Sequence, residues 1–390
     1  MYRLQTLNEI SDAIYQSLNA SFSVRGDEPA PDGILVRSAD MHSLALPPSV
    51  LAVARAGAGV NNIPLDACSE QGICVFNTPG ANANAVCELA VAGMLLCSRD
   101  IVGGIQWAQG LKGQADVPKL VEKGKSAFVG PELRGKRLGI IGLGAIGVLV
   151  ANAAVALGMD VGGYDPAISV EHAWRLSRSV HRATNLDELL ATSDYVTLHL
   201  PLNDKTRGMM DGQSLGRMKR GAHLLNFARA ELVDTVALRE ALDTGVLRAY
   251  VTDFPTEALL DVKGVMPIPH LGASTPESED NCAAMAAAQL RDYLECGVIR
   301  NSVNLPDTEL ATLTKPRVAV VHRNVPNMLS AIAAAVGDLA INISDMVNKS
   351  RAAMAYTVLD LDLSDAVQSL ADTIAAIPGV IRVRTLAPKA

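Results

Sequence analysis

"GIIGLGAIG", residues Gly139 to Gly147, is the stretch of sequence that decides the fold. Its glycines have the spacing G-x-G-x-x-G, which alone is a weak signal because small residues also pack helices onto sheets. The context is stronger: a strand pattern, RLGII, precedes the motif, a helix pattern, AIGVLVANAAVALG, follows it, and the next strand pattern, MDVGGYD, ends in Asp165. A tight turn, a helix N-terminus for a pyrophosphate and a carboxylate for ribose hydroxyls together predict a dinucleotide-binding unit.

Asp165 also indicates which dinucleotide binds. Its carboxylate would repel a 2′-phosphate, and no arginine follows it directly in YDPAIS, so NAD is favoured over NADP. The predicted cofactor contacts in this part of the chain are Gly142, Gly144, Ala145, Ile146, Gly147 and Asp165.

Composition bounds the remaining possibilities. The chain has 390 residues, 49% of them hydrophobic and 19% charged, which predicts two or three globular domains with large cores. A net charge of −7 provides no general basic field, and this argues against nucleic acid as a partner. Six dispersed cysteines without a C-x-x-C pair predict neither a metal site nor disulfides.

The sequence patterns predict neither a targeting signal nor a membrane span. The N-terminus, MYRLQTLNEI, has no basic region followed by an apolar run, and no window approaches the roughly 18 uninterrupted apolar residues that span a membrane. We therefore expect a cytoplasmic protein that makes no membrane contact.

Strand and helix patterns alternate in two series, which predicts an α/β protein with two Rossmann-like, doubly wound parallel sheets. The first series begins at GILVRSA, and the second runs from KRLGIIGLG to GVMPIPH. One long helix is expected over AVCELAVAGMLLCSRDIVGGIQWAQ, and the polar residues 117–136 are typical of a connector. From Arg317 the order changes to β-α-β-β-α-β, with its first helix starting at Pro326, which predicts a small ferredoxin-like module.

Three polar residues lie just beyond strand patterns of the second series, where a doubly wound sheet binds its ligands. Arg229 follows AHLLNFA, Glu257 follows RAYVTDF after a few residues, and His270 ends GVMPIP. Each residue alone is ordinary on a protein surface. Together they provide what alcohol oxidation with NAD requires: a histidine that takes the hydroxyl proton, a carboxylate that orients the imidazole, and a cation.

Several segments resemble a known family. NFARAELVD, DFPTE and PHLGAST resemble the Arg, Glu and His blocks of the D-2-hydroxyacid dehydrogenases, and GLGAIG resembles their NAD loop. RAGAGVNNI, GANANAVCELA, NSVNLP and the C-terminal module resemble the phosphoglycerate dehydrogenase branch over nearly the whole chain. The resemblance implies His270 as the acid/base, Glu257 as its partner and Arg229 as the clamp for the substrate carboxylate and C2 oxygen.

Because YVTDFPTE is shorter than the common form of this block, Asp253 is an alternative for the carboxylate role. Ala230 stands where many relatives have glycine.

The resemblance also implies domains and an activity. A discontinuous substrate-binding domain is expected over residues 1–98 and 278–312, an NAD-binding domain over 99–277 and an ACT regulatory domain over 316–390. The implied reaction is NAD-dependent oxidation of 3-phospho-D-glycerate to 3-phosphohydroxypyruvate, the first step of phosphorylated serine biosynthesis, in a homo-oligomer, either dimer or tetramer. The alternatives are a hydroxypyruvate or 2-oxoacid reductase and a non-catalytic, NAD-sensing scaffold similar to transcriptional corepressors.

The remaining predicted contacts combine position with resemblance. Arg37 is the candidate for the substrate phosphate, since a phosphate favours an arginine fork. An L-serine effector is expected at the C-terminal module, where Asn327 stands in place of a usual glycine. The predicted substrate contacts are Arg37, Ser38, Gly57, Ala58, Gly59 and Asn82, with Arg229 and His270; further NAD contacts are His199, Pro201, Thr206, Ala228, Asp253 and Gly272; effector contacts are His322, Asn324 and Asn342.

Overall fold

A computed structural model describes residues 1–362 and 366–388 of the chain. The contacts group the residues into two compact units, one formed by residues 1–81 with 279–390 and the other by residues 82–278. The α/β class with two parallel sheets and a C-terminal antiparallel module is confirmed. The domain boundaries given above stay predictions.

The first unit contains a five-stranded parallel sheet with the order β2-β1-β3-β4-β5. Its first two strands lie before the point at which the sequence pattern predicted a strand. Most of their side chains are only half-buried, so neither strand carries the apolar run that marks β3. The elements are β1 Tyr2–Thr6, β2 Phe22–Arg25, β3 Gly33–Val36, β4 Ala52–Arg55, α1 Leu65–Glu70 and β5 Cys74–Phe76.

The second unit is built on a seven-stranded parallel sheet with the order β12-β11-β10-β9-β6-β7-β8. The six strands predicted in this series are confirmed, and the edge strand β8 was missed because it is short and mostly exposed. The elements are α2 Ala83–Ser98, α3 Ile101–Gln109, α4 Val117–Gly124, β6 Arg137–Ile141, α5 Ala145–Ala156, β7 Asp160–Tyr164, α6 Val170–Arg175, β8 Val180–Arg182, α7 Leu186–Thr192, β9 Tyr195–Leu198, α8 Gly212–Gly216, β10 Ala222–Asn226, α9 Thr235–Asp243, β11 Leu247–Thr252 and β12 Val265–Pro267.

The single long helix expected before the connector is wrong. The chain leaves the helical conformation at Arg99, whose ψ is 140°, and the Asp100 carboxylate then accepts the N–H of Gly103 as the N-cap of α3. An aspartate in this position starts a new helix more readily than it continues one. The connector is itself partly helical, since it contains α4 and a 3-10 turn at Lys125–Phe128.

The C-terminal module has the predicted β-α-β-β-α-β order and an antiparallel sheet with the order β14-β15-β13-β16. Its first helix starts two residues later than expected, at Met328, because Asn327 takes a left-handed backbone with φ of 68° as its N-cap. The elements are α10 Pro276–Cys296, which precedes the module, and β13 Arg317–Arg323, α11 Met328–Asp338, β14 Ile343–Arg351, β15 Met354–Leu361, α12 Val367–Ala375 and β16 Val380–Leu386.

The module shares a hydrophobic core with the first sheet and α10. That core joins Leu4 and Leu35 of the sheet, Tyr293 of α10 and Tyr356 of the module. Arg384 adds polar contacts, because its guanidinium lies 4.6 Å from the centre of the Tyr293 ring and donates to the carbonyls at the end of α10. The module is therefore part of the first unit rather than a loosely attached domain.

Neither a membrane-spanning helix nor a metal-binding cluster is found among the described residues. No helix there is both long and apolar enough to cross a membrane. That part of the chain also contains no group of three or more His, Cys, Asp or Glu side chains able to hold a metal ion.

Candidate active site

The glycine motif forms the turn between β6 and α5. Gly142 has φ of 95°, and a Cβ on it would lie 2.4 Å from the carbonyl oxygen of His199. A Cβ on Gly147 would lie 2.0 Å from the carbonyl oxygen of Gly142. These two glycines are required for the backbone to pack this closely, because any side chain would collide with a main-chain oxygen.

Gly144 has a different role. A Cβ on it would meet nothing within 4 Å, and as N-cap of α5 it provides no side-chain acceptor for the first N–H groups of the helix. The N–H groups of Ala145 and Ile146 therefore have no intrahelical acceptor. Open space in front of uncapped N–H groups fits a dinucleotide pyrophosphate.

Asp165 lies beside this turn at the end of β7. One carboxylate oxygen accepts the N–H of Leu143 at 2.8 Å and the other accepts the N–H of Ala167 at 2.8 Å. The two bonds fix the carboxylate next to the glycine turn, and each oxygen keeps a lone pair for a ribose hydroxyl.

His199 follows β9 and contacts the same turn through its carbonyl. Its Nε2 is 3.0 Å from the Thr197 hydroxyl, whereas its buried Nδ1 has no hydrogen-bond partner among the described residues. Burial lowers the pKa of His199 from 6.5 to about 4, so the imidazole is neutral near pH 7. An unpaired buried nitrogen beside the turn fits a cofactor that supplies the missing partner.

Pro201 and Thr206 hold their own loop together, since the Thr206 hydroxyl donates to the Pro201 carbonyl at 2.7 Å. Their contact with a cofactor stays a prediction.

Arg229 is exposed beyond the end of β10, and its guanidinium donates to the carbonyl of Ala228 at 2.6 Å. The fully buried Asn226 supports this turn by donating to the Arg229 carbonyl at 2.8 Å and accepting the Ala228 N–H at 3.1 Å. Sequence reasoning missed Asn226. An asparagine at the end of a strand pattern that is mostly apolar, AHLLN, is the signal that identifies it.

The backbone that directly follows His270 is bound by the carboxylate of Asp253. Asp253, at the end of β11, is 2% exposed, and its carboxylate accepts the N–H of Leu271 at 2.7 Å and the N–H of Gly272 at 2.9 Å. Burial raises the pKa of Asp253, an effect that these two donors and the nearby His270 oppose. Glu257 lies exposed in a 3-10 turn, and no hydrogen bond or ion pair joins it to His270 in the described chain. The pairing of Glu257 with His270 and the contact of Asp253 with NAD stay predictions.

These residues lie at one edge of one sheet. Strands β10, β11 and β12 are parallel neighbours, and Arg229, Asp253 and His270 follow their carboxyl ends. The glycine turn follows the carboxyl end of β6 in the same sheet. The edge therefore combines a dinucleotide cradle with an exposed imidazole and an exposed guanidinium. Asn82, at the N-cap of α2 in this unit, is half-buried and forms no side-chain capping bond.

The first unit places two arginines at the carboxyl edge of its own sheet. Arg37 follows β3 and pairs with Glu279, and Arg55 ends the neighbouring β4 with its Nε donating to the Arg37 carbonyl at 3.0 Å. A Cβ on Gly57 would lie 2.5 Å from Nη1 of Arg55, so the glycine loop lies directly against this guanidinium. Sequence reasoning missed Arg55, although it directly precedes the predicted loop in VARAGAG.

The other predicted substrate contacts of this unit have partners of their own. Ser38 is exposed, and its hydroxyl accepts from the Asn8 amide at 2.8 Å. The Gly57 carbonyl accepts the Thr78 N–H at 3.1 Å, and the Ala58 carbonyl accepts from the Asn77 amide at 2.6 Å. A Cβ on Gly59 would lie 3.7 Å from Nη1 of Arg55.

The predicted effector residues differ in exposure. His322 is 2% exposed, with one ring nitrogen 2.8 Å from the Arg323 carbonyl and the other 2.8 Å from the Thr357 hydroxyl. Asn324 and Asn342 are exposed, and their amides donate to the Ala352 carbonyl and the Asp362 carboxylate. The geometry gives His322 a structural role in β13, and its contact with a ligand stays a prediction.

Comparisons with known proteins cover most of the chain. The sequence profile of the D-isomer specific 2-hydroxyacid dehydrogenase NAD binding domain matches residues 91–272. A D-3-phosphoglycerate dehydrogenase from Mycobacterium bovis is 34% identical over 343 residues, which are 85% of this chain and 62% of that protein. Another from Escherichia coli K12 is 33% identical over 343 residues, which are 84% of this chain and 79% of that protein. The chain thus spans less than two thirds of the length of the mycobacterial relative.

Solved structures with the same fold include two relevant enzymes. An NAD+-bound 3-phosphoglycerate dehydrogenase from Entamoeba histolytica has a TM-score of 0.58 at 26% identity, covering 78% of this chain and 98% of that one. A glyoxylate reductase from Paecilomyes thermophila has a TM-score of 0.63 at 26% identity, covering 77% of this chain and 98% of that one.

Proposed function

Because the chain belongs to the D-isomer specific 2-hydroxyacid dehydrogenase family, we propose that it oxidises 3-phospho-D-glycerate to 3-phosphohydroxypyruvate with NAD. The observation that carries the proposal is the shared sheet edge, where the glycine cradle, the exposed Arg229 and the exposed His270 all follow parallel strands. The names of the bacterial relatives support the choice of substrate.

The residues divide the chemistry between them. The imidazole of His270 takes the proton of the substrate hydroxyl, and the guanidinium of Arg229 binds the carboxylate and the C2 oxygen. The cradle from Gly142 to Gly147 holds the pyrophosphate, and Asp165 accepts from the ribose hydroxyls. When bound, NAD supplies the acceptor for the hydride that leaves C2.

Arg37 and Arg55 are proposed to recognise the substrate phosphate. Their positions at the ends of neighbouring strands give one edge of the first sheet two guanidinium groups, the geometry that favours phosphate. Because Glu279 pairs with Arg37, the phosphate has to displace that carboxylate. We expect Arg55→Ala to weaken binding of phosphoglycerate more than binding of an unphosphorylated 2-hydroxy acid.

The test of the proposed function is a substrate panel. NADH absorbance is followed with phosphoglycerate, phosphohydroxypyruvate, glycerate, hydroxypyruvate and glyoxylate. The highest kcat/KM values for phosphoglycerate and phosphohydroxypyruvate would support the proposal. Preference for glyoxylate or hydroxypyruvate would favour the 2-oxoacid reductase alternative. The similarity of the fold to that of a glyoxylate reductase supports keeping this alternative. NAD binding without turnover of any acid would favour the scaffold.

The C-terminal module is proposed to bind L-serine. The Oδ1 atoms of Asn324 and Asn342 accept no hydrogen bond among the described residues, so both can accept from an ammonium group. Sites of this kind form between paired modules, and the proposal therefore includes a homo-oligomer, dimer or tetramer. It also includes a cytoplasmic location.

Calorimetric titration with serine tests the effector site. We expect binding to the wild type and weaker binding to Asn324→Ala and Asn342→Ala, with Asn19→Ala, an exposed asparagine outside the module, as the control. Sedimentation in the same buffer reports the oligomeric state. A wild type that binds no serine at millimolar concentration would contradict the proposal.

A further inference from the structure

The carboxylate of Asp253 binds the backbone that directly follows His270. Asp253 is 2% exposed at the end of β11, and its two oxygens accept the N–H groups of Leu271 and Gly272 at 2.7 Å and 2.9 Å. Both bonds go to one buried carboxylate, and hydrogen bonds to a carboxylate are stronger than those between neutral groups. The turn that carries His270 is thus fixed to the end of β11, the strand that neighbours β12.

The backbone of His270 needs such a support. Its φ is 50°, in the left-handed region that a residue with a Cβ adopts only at a cost in energy. Its N–H donates to the Ile268 carbonyl at 2.9 Å, which closes a tight turn just before the two bonds to Asp253. Strained backbone of this kind persists where the surrounding structure holds it in place.

Two neighbours complete the arrangement. The ring of Phe254 lies 4.8 Å from the imidazole of His270, centre to centre, at an angle of 54°. A Cβ on Gly272 would lie 2.9 Å from a carboxylate oxygen of Asp253, so a larger residue would push the carboxylate away from the turn. Asp253 and Phe254 therefore fix the backbone and the ring of the same histidine.

We propose that Asp253 is the positioning residue of His270: its carboxylate, bound to the N–H groups of Leu271 and Gly272, sets the backbone conformation from which the imidazole reaches the substrate. This inference rests on the proposed function of His270 as the base. It assigns to Asp253 an action through the backbone, whereas Glu257, exposed and unbonded to His270, has no corresponding contact in the described chain.

The test compares Asp253→Asn, which keeps one acceptor, with Asp253→Ala, which keeps none. Asp261→Asn is the matched control, because Asp261 is an exposed aspartate on the same loop. We expect kcat to fall about 10- to 100-fold in Asp253→Asn and further in Asp253→Ala, since small displacements of a reacting group cost about this much. Because Asp253 is also a predicted NAD contact, we expect kcat of Asp253→Asn to fall by a larger factor than its KM for NAD rises. The melting temperature of Asp253→Asn should stay close to those of the wild type and the control.

Amide hydrogen exchange provides a readout that needs no activity. We expect faster exchange in the peptide containing residues 270–275 of Asp253→Asn and no change in peptides of the other strands. A wild-type kcat or unchanged exchange in Asp253→Asn would overturn the proposal, as would a loss of kcat matched by an equal loss of NAD affinity. If the wild type oxidises no 2-hydroxy acid, the proposed function fails, and the exchange measurement alone decides whether Asp253 holds the turn.

Discussion

At the scale of single residues, His270 is the strongest test of the chemistry. We expect His270→Asn to lower turnover about 100- to 10,000-fold, the contribution usual for a positioned acid/base. Asparagine tolerates the left-handed backbone that the structure gives this position, so the change removes the imidazole with little strain. NAD affinity, measured by titration calorimetry, should change little, because the cradle follows β6 and His270 follows β12. Turnover equal to that of the wild type would remove His270 from the reaction.

His199 predicts a pH dependence of stability. Burial lowers its folded pKa from 6.5 to about 4, so between these values the unfolded chain binds the proton more strongly. The stabilisation is complete above pH 6.5 and is lost as the pH falls toward 4. At about 1.4 kcal/mol per pKa unit, the loss is at most about 3 kcal/mol.

We therefore expect the free energy of unfolding of His199→Asn to fall less between pH 7 and pH 4.5 than that of the wild type, as measured by urea unfolding. His181→Gln is the control, since His181 is 71% exposed. The buried His223 also has a lowered pKa, but it remains in all three proteins and cancels in the comparison. Equal slopes for His199→Asn and the wild type would contradict the interpretation.

At the scale of elements, the turn from β6 to α5 separates two roles of glycine. In Gly147→Ala the new methyl group would lie 2.0 Å from the Gly142 carbonyl oxygen, so we expect a stability loss of about 1–3 kcal/mol or more. In Gly144→Ala the methyl group meets nothing within 4 Å, and the φ of −74° suits alanine. That variant should keep the wild-type melting temperature and bind NAD more weakly, because the methyl group occupies the space of the pyrophosphate. Similar melting temperatures for the two variants would contradict this division.

The same element shows how much the sequence could predict. The glycine spacing, the flanking strand and helix patterns and Asp165 lie close together in the chain, and local chemistry was enough to predict their arrangement. Strands β1, β2 and β8 are short and half-exposed, so their patterns carry little signal. The contact of Asp253 with Leu271 and Gly272 joins separate strand ends, and no spacing rule specifies which carboxylate reaches which turn.

At the scale of the whole molecule, the C-terminal module is predicted to unfold together with the rest of the first unit. Arg384 is the clearest probe, because its guanidinium lies over the Tyr293 ring and donates to the Tyr293 and Leu294 carbonyls of α10. Arg384→Ala would leave those contacts unmade inside a shared core. We expect it to lower the free energy of unfolding by about 1–3 kcal/mol and the melting temperature by several degrees. Arg323→Ala is the control, since Arg323 is exposed and its guanidinium lies 3.8 Å from the sulfur of Met354, a weak contact. Calorimetry should show the module and the first sheet melting in one transition. A separate transition for the module, moved by Arg384→Ala while the first sheet is unaffected, would mean that the module folds independently.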